Sequence, residues 1–375
     1  MLKGFYLTLM IGPAVPVPVP KEVLDALTSV QVITSTDRSS GFELVFTLSN
    51  NSPLQTLFLL SGGSPIPLVR VVIVVTVNGT PEVLMDGVMT NHQVSPGTTS
   101  GKSRLTVRGV DLTAVMDYIP FDGVPYPAMP PEARVLIMLA KYAVLGVVPM
   151  VIPSIMLDVP IPIDRIPRQQ GTDLQYIMKL ADDVGYVFYL NPGPVPGMSV
   201  AYWGPEIKVG QPQPALNINM DAYTNVESMD FSFDTEHKKL PVLFIQEPNT
   251  KVPIPIPVPD ITPLNPPLGL IPPIPKGIEP IRESAKLSPI QAVLIGLAKA
   301  AKTADAVTGT GTLDVTRYGR VLKARQLVGV RGAGMAFDGL YYVKSVTHNI
   351  KRGEYKQSFT LARNGLISTI PVVPA

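Results

Sequence analysis

The sequence predicts a mainly β protein of the α+β class, in which a small α/β unit and a proline-rich strap interrupt two β regions. Apolar and polar residues alternate in the first and last thirds of the chain, as they do in strands with one buried face. Proline is abundant, with 41 among 375 residues, and a share about twice the usual one disfavours a mainly helical chain. The length allows two or three domains.

The composition excludes several classes of function. Charged residues make up 16% of the chain and hydrophobic residues 46%, and the net charge is +2. A chain this apolar is not expected to be disordered, and a charge near zero attracts no phosphates, so no nucleic-acid binding is predicted. Because there is no cysteine, a disulfide framework, a cysteine zinc site and a cysteine nucleophile are excluded.

Two apolar segments imitate targeting or membrane sequences. Residues 5–11 follow Lys3 as in a secretory signal, but four prolines between residues 13 and 20 come next, without a small-residue cleavage site. Residues 142–157 contain Pro149 and Pro153 and are shorter than the roughly 20 residues that a membrane span needs. An extended first segment and no membrane insertion are therefore expected.

The first third of the chain predicts a β-barrel or sandwich. Residues 41–49 and 104–109 alternate between apolar and polar side chains, which is typical of strands with one wet face. Residues 69–77 are almost continuously β-branched, which indicates a strand buried on both faces. Asn78-Gly79 then predicts a two-residue hairpin turn into a return strand over residues 82–90.

The middle third predicts two helices. Pro131 can occupy the first turn of a helix that continues over residues 134–144. The expected buried stripe of this helix consists of Leu136, Ile137, Ala140 and Val144.

The second helix has clearer ends than the first. Thr172 is the predicted N-cap, Gln175 completes a capping box, and Gly185 ends the helix. An aromatic and β-branched strand over residues 186–190 follows directly, so the segment predicts a small α/β unit.

The last segment begins with a predicted helix and returns to strands. Ser288, Pro289 and Gln291 combine an N-cap, a first-turn proline and a capping-box partner for a helix that is expected to end at Gly309. Predicted strands cover residues 326–330, 340–350 and 355–362, the last two joined by a turn at Arg352-Gly353.

A run of prolines separates the α/β unit from this last segment. Residues 252–276 contain ten prolines that alternate with apolar residues. Such a run lacks ladder donors and is expected to be extended, either as a stiff linker or as a strap packed on another surface. We favour the strap, because the spacers are more apolar than a solvated linker needs. The candidate oligomer or partner interface consists of Pro253, Ile254, Pro255, Ile256, Pro257, Val258, Pro259, Ile370, Val372 and Val373.

No motif in the sequence predicts a nucleotide, metal or catalytic site. A phosphate loop ending at Gly101-Lys102-Ser103 fails because Pro96 replaces the required glycine, and residues 332–334 indicate a turn and no dinucleotide fingerprint. The three histidines, His92, His237 and His348, lie in different regions without partners at helical spacing. We therefore predict no catalytic residues, no cofactor and no metal.

Two features allow alternative interpretations. Asp182 and Asp183 are adjacent on a helix and point about 100° apart, so a solvated helix end is a better account than paired catalytic carboxylates. The aromatic residues 186–189, with Tyr202 and Trp203, could form a stacking platform for sugars or bases, but core packing is favoured.

Several segments resemble one known family. Residues 171–181 (GTDLQYIMKLA) and 185–189 (GYVFY) resemble the helix–strand signature of phage tail hub proteins of the late control D and spike-hub type. Further segments match the same family in the same order, namely residues 86–88 (DGV), 103–112 (SRLTVRGVDL), 337–343 (FDGLYYV) to His348, and 355–363 (YKQSFTLAR). Residues 5–13 (FYLTLMIGP) and 25–30 (DALTSV) are similar to hubs of extracellular contractile injection systems.

The resemblance implies a baseplate hub with two tube-like β-barrel domains in each chain. A homotrimer would then present a pseudo-sixfold ring, with inner tube proteins on one side, a separate spike protein on the other, and baseplate or wedge proteins around it. The implied domains are a first barrel over residues 1–115 completed by 220–247, an α/β domain over 116–219, a strap over 248–283, and a helix with a second barrel over 284–375. The particle would assemble in the bacterial cytoplasm.

Two other functions stay open at this point. A sugar- or peptide-binding β-module of a cell-surface assembly could use the aromatic residues between Tyr186 and Trp203. An unrecognised hydrolase could use scattered carboxylates such as Asp164 and Asp338.

Overall fold

The computed structural model describes residues 4–13, 15–36, 39–48, 69–96, 103–154, 166–236, 238–246, 253–258, 264–281, 296–297, 300 and 304–370. The fold is mostly β, with one 13-stranded sheet and three small sheets. The strands are β1 (Phe5–Gly12), β2 (Val17–Pro18), β3 (Leu27–Ser35), β4 (Gly41–Leu48), β5 (Arg70–Val77), β6 (Thr80–Ser95), β7 (Ser103–Asp111), β8 (Val147–Val151), β9 (Val187–Pro192), β10 (Ser199–Gly204), β11 (Gln213–Asn217), β12 (Val226–Phe233), β13 (Lys239–Gln246), β14 (Pro253–Pro257), β15 (Gly269–Ile271), β16 (Gly277–Ile281), β17 (Val307–Asp314), β18 (Leu327–Arg331), β19 (Gly339–Lys351), β20 (Glu354–Arg363) and β21 (Leu366–Ser368). The helices are α1 (Lys21–Ala26), α2 (Thr113–Met116), α3 (Pro131–Ala140), α4 (Asp173–Val184) and α5 (Val315–Tyr318).

The large sheet joins the two β regions of the chain. Its strands follow the order β12-β17-β20-β19-β3-β4-β7-β6-β5-β1-β2, and β18 with β11 branches from β19. The connection is the antiparallel pairing of β3 with β19, which runs from Ser35 opposite Ser345 to Ser29 opposite Lys351. Both β regions therefore share one apolar core, which includes Leu44 and Val107 from the first and Val346 and Phe359 from the last.

The hairpin predicted in the first third is confirmed. Strand β5 is buried along nearly its whole length, as its β-branched run predicts. Asn78 and Gly79 both have positive φ angles, of 49° and 87°, which is the conformation that a two-residue turn with the right-handed twist requires. Strand β6 returns from this turn and pairs with β5.

The middle of the chain forms the predicted α/β unit. The small sheet β8-β10-β9 packs with α3 and α4 around a core of its own that contains Met138, Ile177 and Trp203. The side chain of Thr172 accepts a hydrogen bond from the backbone N–H of Gln175, whose side chain accepts one from the Thr172 N–H. The capping box is therefore confirmed, and Gly185 ends α4 with a φ of 73°.

The predicted buried stripe of α3 is wrong, because this helix faces the other way. Leu136, Ile137 and Val144 are exposed, and the buried side chains are those of neighbours such as Val135 and Met138. The helix is apolar on both sides, so its periodicity could not select one. Arg134 decides the orientation, since its buried guanidinium donates hydrogen bonds to the Met129 carbonyl and the Tyr176 hydroxyl.

The proline-rich segment forms a strand of a small sheet, which corrects the expectation that it cannot join a ladder as a donor. Strand β14 pairs antiparallel with β13, and β16 pairs with the other side of β13. An antiparallel ladder needs donors from both strands, so the N–H groups of Ile254 and Ile256 provide them. The backbone nitrogens of the alternating prolines then face away from β13, so the outer edge of β14 has no N–H donors.

Two boundaries in the second half of the chain also differ from the predictions. Strand β12 pairs with β17 of the last segment and not with a strand of residues 1–115. Gly309 lies inside β17 and does not end a helix. Of the helix predicted from Ser288, only residues 296, 297 and 300 are described, and they are helical.

The protein is expected to lose stability as the pH falls below about 6.5, because His348 is buried in the sheet. Burial lowers the pKa of His348 to about 3, and its Nδ1 lies 2.8 Å from the Tyr355 hydroxyl. In the unfolded chain this histidine binds a proton below about pH 6.5, whereas in the folded chain it does so only below about pH 3. The free energy of unfolding should therefore fall by about 1.4 kcal/mol for each unit by which the pH is lowered between 6.5 and 3.

The comparison of wild type with His348→Gln isolates this histidine from the other titrating groups. We expect the stability difference between the two proteins to be about 2 kcal/mol smaller at pH 5 than at pH 7. Urea denaturation at both pH values measures it. A difference that stays constant with pH would show that His348 titrates normally in the folded protein.

Candidate interaction surfaces

The large sheet has one face buried in the core and one polar face. In one row across seven strands the residues opposite each other are all polar, while their neighbours in sequence, such as Leu44, Val107 and Val32, are buried. The row consists of Asn91, Arg108, Glu43, Gln31, Asn349, Lys356 and Asp314. We call this side of strands β12, β17, β20, β19, β3, β4, β7 and β6 the polar face.

Charges of both signs lie on the polar face, and several of them are paired with each other. Arg108 Nε lies 2.7 Å from Glu43 Oε2, and the Gln31 amide donates to Asn349 Oδ1 at 3.0 Å. Lys356 Nζ lies 2.9 Å from Glu227, and the hydrogen bonds to Glu227 and Glu354 raise the pKa of Lys356. Serine and threonine fill much of the remaining area, at positions including Thr310, Thr312, Thr347, Ser358 and Thr360. The polar face can therefore be hydrated, and it carries no strong electrostatic potential of either sign.

The main strand order of the large sheet ends in two edge strands, apart from the branch that ends at β11. Strand β12 forms one end of the strand order, and at the other end β2 covers only Met10 and Ile11 of β1. Within the described ranges, no strand pairs with the outer side of β12 or with the outer side of β1 before Met10. Such edges carry backbone N–H and C=O groups that can pair with another chain.

Exposed apolar side chains concentrate in the described part of the strap over residues 248–283, which we call the proline-rich region. Leu270, Ile274 and Ile278 are 62%, 84% and 66% exposed, which is far more than a core or a satellite cluster allows. Because the β14 edge has no donors, a partner would contact this region through its side chains and not by adding a strand.

The predicted interface residues lie partly in this region. Pro255 and Pro257 are exposed, Ile256 is half-buried and Val258 is buried, while Ile370 is exposed. Pro253 and Ile254 belong to β14, and Pro259, Val372 and Val373 lie outside the described residues. Leu270, Ile274 and Ile278 were not singled out, although the continuing alternation of proline with apolar residues was the signal that could have identified them.

The aromatic residues of the α/β unit do not form a binding platform. Trp203 is fully buried and meets the Tyr186 ring edge-on at 4.9 Å. Tyr189 stacks on Tyr202, with ring centroids 4.9 Å apart, and its other contact is the Arg325 guanidinium at 4.2 Å. The predicted core role is therefore confirmed for Trp203, against which Tyr186 and Phe188 pack.

The remaining candidate groups are dispersed in the structure. His92 is exposed in β6, His348 is buried in β19, and His237 lies outside the described residues. Asp182 and Asp183 are exposed near the end of α4, and the Asp338 carboxylate accepts a hydrogen bond from the Ala333 N–H. Asp164 and residues 97–102, which include Gly101 and Lys102 of the rejected phosphate loop, also lie outside the described residues.

Neither a metal centre nor a membrane helix occurs in the described part of the chain. No group of three or more histidine, aspartate or glutamate side chains is placed there to hold a metal ion. No helix among the same residues is long and apolar enough to span a bilayer.

No family model and no curated protein sequence matches the chain. Solved structures do match its fold. A tail protein from Neisseria meningitidis MC58 is 15% identical with a TM-score of 0.62, and the match covers 97% of this chain and 98% of that one. The 43 kDa tail protein of prophage MuSo2 from Shewanella oneidensis is 14% identical with a TM-score of 0.62, over 96% and 99% of the two chains.

A third match comes from a secretion system. The E. coli c3393 protein is described as a component of the type VI secretion system with structural similarity to the T4 tail proteins gp27 and gp5. It is 10% identical with a TM-score of 0.51, over 93% of this chain and 76% of that one. The fold is therefore shared with phage tail and type VI secretion proteins, in agreement with the hub and spike resemblance in the sequence.

Proposed function

We propose that this chain, which has the fold of phage tail proteins, is the structural baseplate hub of a phage-tail-like contractile injection system. In this role a homotrimer adapts the hexameric inner tube to a trimeric spike. The observation that carries the proposal is the continuous sheet, which joins two β regions through β3 and β19 and presents one polar face. Shared fold alone would not assign a function.

The open edges of the large sheet support a ring. If β12 of one subunit lies against β1 of the next, the contact is head-to-tail, and three copies close it. Each chain contributes two β regions, proposed as tube-like barrels within residues 1–115 and 284–375, so three chains supply six. The polar face then lines the passage, where its paired charges and hydroxyls do not retain a passing protein.

The proline-rich region supports a contact between neighbouring subunits. Its exposed apolar side chains include Ile274 and Ile278. Contact of apolar side chains with water is unfavourable, and burial in an oligomer would remove this free-energy cost. Prolines restrict the backbone before binding, so this region loses little conformational entropy when it docks. We propose that this region packs on the adjacent subunit and that spike, inner tube and baseplate or wedge proteins bind the ends of the ring.

The role is structural and not enzymatic, and the particle assembles in the bacterial cytoplasm. The chain lacks cysteine, so its contacts do not depend on disulfides, which a reducing cytoplasm would not maintain. Low charge together with high apolar content suits a subunit whose surface is largely covered by partners.

Native mass spectrometry and electron microscopy test the proposal. We expect a species of three times 40.4 kDa and, when the chain is coexpressed with the neighbouring tube and spike genes, threefold density at the tip of the tube. Glycan arrays and hydrolase panels should show no signal. A monomer that binds a glycan would instead support the binding-module alternative, and a tube tip without threefold density would exclude the hub.

A further inference from the structure

The α/β unit, defined here as residues 113–204, has a core separate from that of the large sheet. Its cluster contains Leu139, Leu180 and Trp203, whereas the sheet cluster contains residues such as Leu44 and Phe359. The sheet strands contribute little to the core of the unit, chiefly Val88 of β6. The junction between the two bodies is therefore not held by one continuous apolar core.

A buried arginine connects the unit to β5 and β6. Arg70 Nε and Nη2 each donate to the Asp86 carboxylate at 2.7 Å, and both side chains are almost fully buried. Arg70 Nη2 also donates to the Gly197 carbonyl of the unit at 2.9 Å. Ser199 Oγ of the unit donates to Asp86 Oδ2 at 3.3 Å. The ion pair thus holds the start of β10 through polar contacts.

A second arginine connects the unit to β3. Arg325 Nη2 donates to the Ser35 carbonyl at 2.6 Å, and Nη1 donates to Asn191 Oδ1 of the unit at 2.9 Å. The same guanidinium lies over the ring of Tyr189 in the unit, 4.2 Å from its centre. This contact is polar and aromatic, and it is separate from the Arg70 contact.

A buried lysine holds the segment that leaves the unit. Lys208 follows β10 and is 3% exposed, and its Nζ lies 3.3 Å from Asp305 Oδ1. Asp305 also pairs with Lys344 of β19 at 3.0 Å. The exit of the unit is therefore attached to the large sheet by ion pairs as well.

Two cavities lie in the same junction. One of about 450 Å³ lies between Asn191 and Pro194 on the unit and Glu82 and Lys323 on the sheet side. Another of about 310 Å³ is bounded by Met178 and Phe188 on the unit and by Lys208, Asp305 and Lys344 on the other side. Both cavities are partly open to solvent, so water enters the junction between the two bodies.

We infer that the α/β unit is a docked body that can separate from the large sheet while it stays folded. Arg70 and Arg325 attach it to the sheet, and Lys208 holds the segment that leaves it. Contacts between domains that are small and polar permit relative motion, because water can replace them, whereas water cannot replace an apolar core. The inference goes beyond the hub role, since it assigns a movable part to the subunit.

Cysteine labelling of the full chain tests this inference, because the natural sequence contains no cysteine. Ser199→Cys places a thiol in the junction, where residue 199 is 1% exposed, and Ala201→Cys places one in the core of the unit on the same strand, where residue 201 is 0% exposed. Each is combined with Arg325→Met, which removes a different attachment. Labelling of the Ser199→Cys thiol should accelerate about tenfold or more, and labelling of the Ala201→Cys thiol should not change.

Arg108→Met is the matched control, because it removes an arginine from an exposed ion pair on the polar face. It should leave both labelling rates unchanged. Equal acceleration of both thiols by Arg325→Met would show that unit and sheet unfold together, and no acceleration at Ser199→Cys would show that the attachments do not cooperate. Either result overturns the inference. If Arg325→Met does not fold, Arg325→Lys keeps the charge but loses the ring contact and the two-branched donor geometry, and it is judged by the same two rates.

Discussion

Replacement of Asp86 by alanine is expected to lower the free energy of unfolding by about 3–5 kcal/mol. Asp86 receives two hydrogen bonds from Arg70 at 2.7 Å, and its side chain is fully buried. Without the carboxylate, the buried guanidinium loses two charge-assisted hydrogen bonds and its ion-pair partner. The cost is mainly that of separating a buried charge from its counter-charge.

Glu43→Ala provides a matched control for this prediction. Glu43 accepts a hydrogen bond from Arg108 at the same distance, 2.7 Å, but the Arg108 side chain is 54% exposed. Solvent screens this pair, so the loss should be at most about 1 kcal/mol. Urea denaturation followed by circular dichroism measures the sheet, and the fluorescence of Trp203, the single tryptophan, measures the α/β unit. Equal losses in the two variants would show that the Arg70–Asp86 pair is not desolvated.

The double variant Ile274→Asp/Ile278→Asp is expected to dissociate the proposed trimer. Both isoleucines are mostly exposed in the single chain, at 84% and 66%, so the folded monomer should lose little stability. In a trimer that buries this region, two carboxylates would be removed from water without partners. We expect the dissociation constant to rise at least about a hundredfold, since each buried charge costs several kcal/mol.

Sedimentation velocity and mass photometry measure this effect over a range of protein concentrations. Ile33→Asp is the control, because it places the same substitution on the polar face, where Ile33 is 41% exposed. The control should stay trimeric. A double variant that also stays trimeric would show that the proline-rich region is not a subunit interface. Loss of the trimer in both variants would show that the polar face is buried as well.

Local features of the fold could be predicted from the sequence because their causes are local. The positive φ angles at Asn78 and Gly79 follow from the residue types in the turn. The capping box of Thr172 and Gln175 lies within four residues. The strands with one solvent-exposed face were predicted from the alternation of apolar and polar residues. The family resemblance was found in segments of the same strands and helices.

The interaction surfaces could be predicted only in part. The proline-rich segment was identified by its composition, but the ladder formed by Ile254 and Ile256 was missed, because register depends on the partner strand β13. The orientation of α3 was missed because both its sides are apolar and a buried charge, on Arg134, selects the inner one. A charged residue is ordinarily assigned to the solvent side, so periodicity gave the opposite face.

The sequence by itself determined many of the strands, the Thr172 capping box, the Asn78-Gly79 turn and the mainly β class, since each depends on interactions between residues that are close along the chain. Only the tertiary structure decided that β3 and β19 pair, which brings Gln31 and Asn349 together across 318 positions. It also decided that Arg70 and Arg325 form hydrogen bonds to the α/β unit from outside it. Alternation shows that a strand has a buried face, but pairing and charge burial depend on which distant surfaces cover that face.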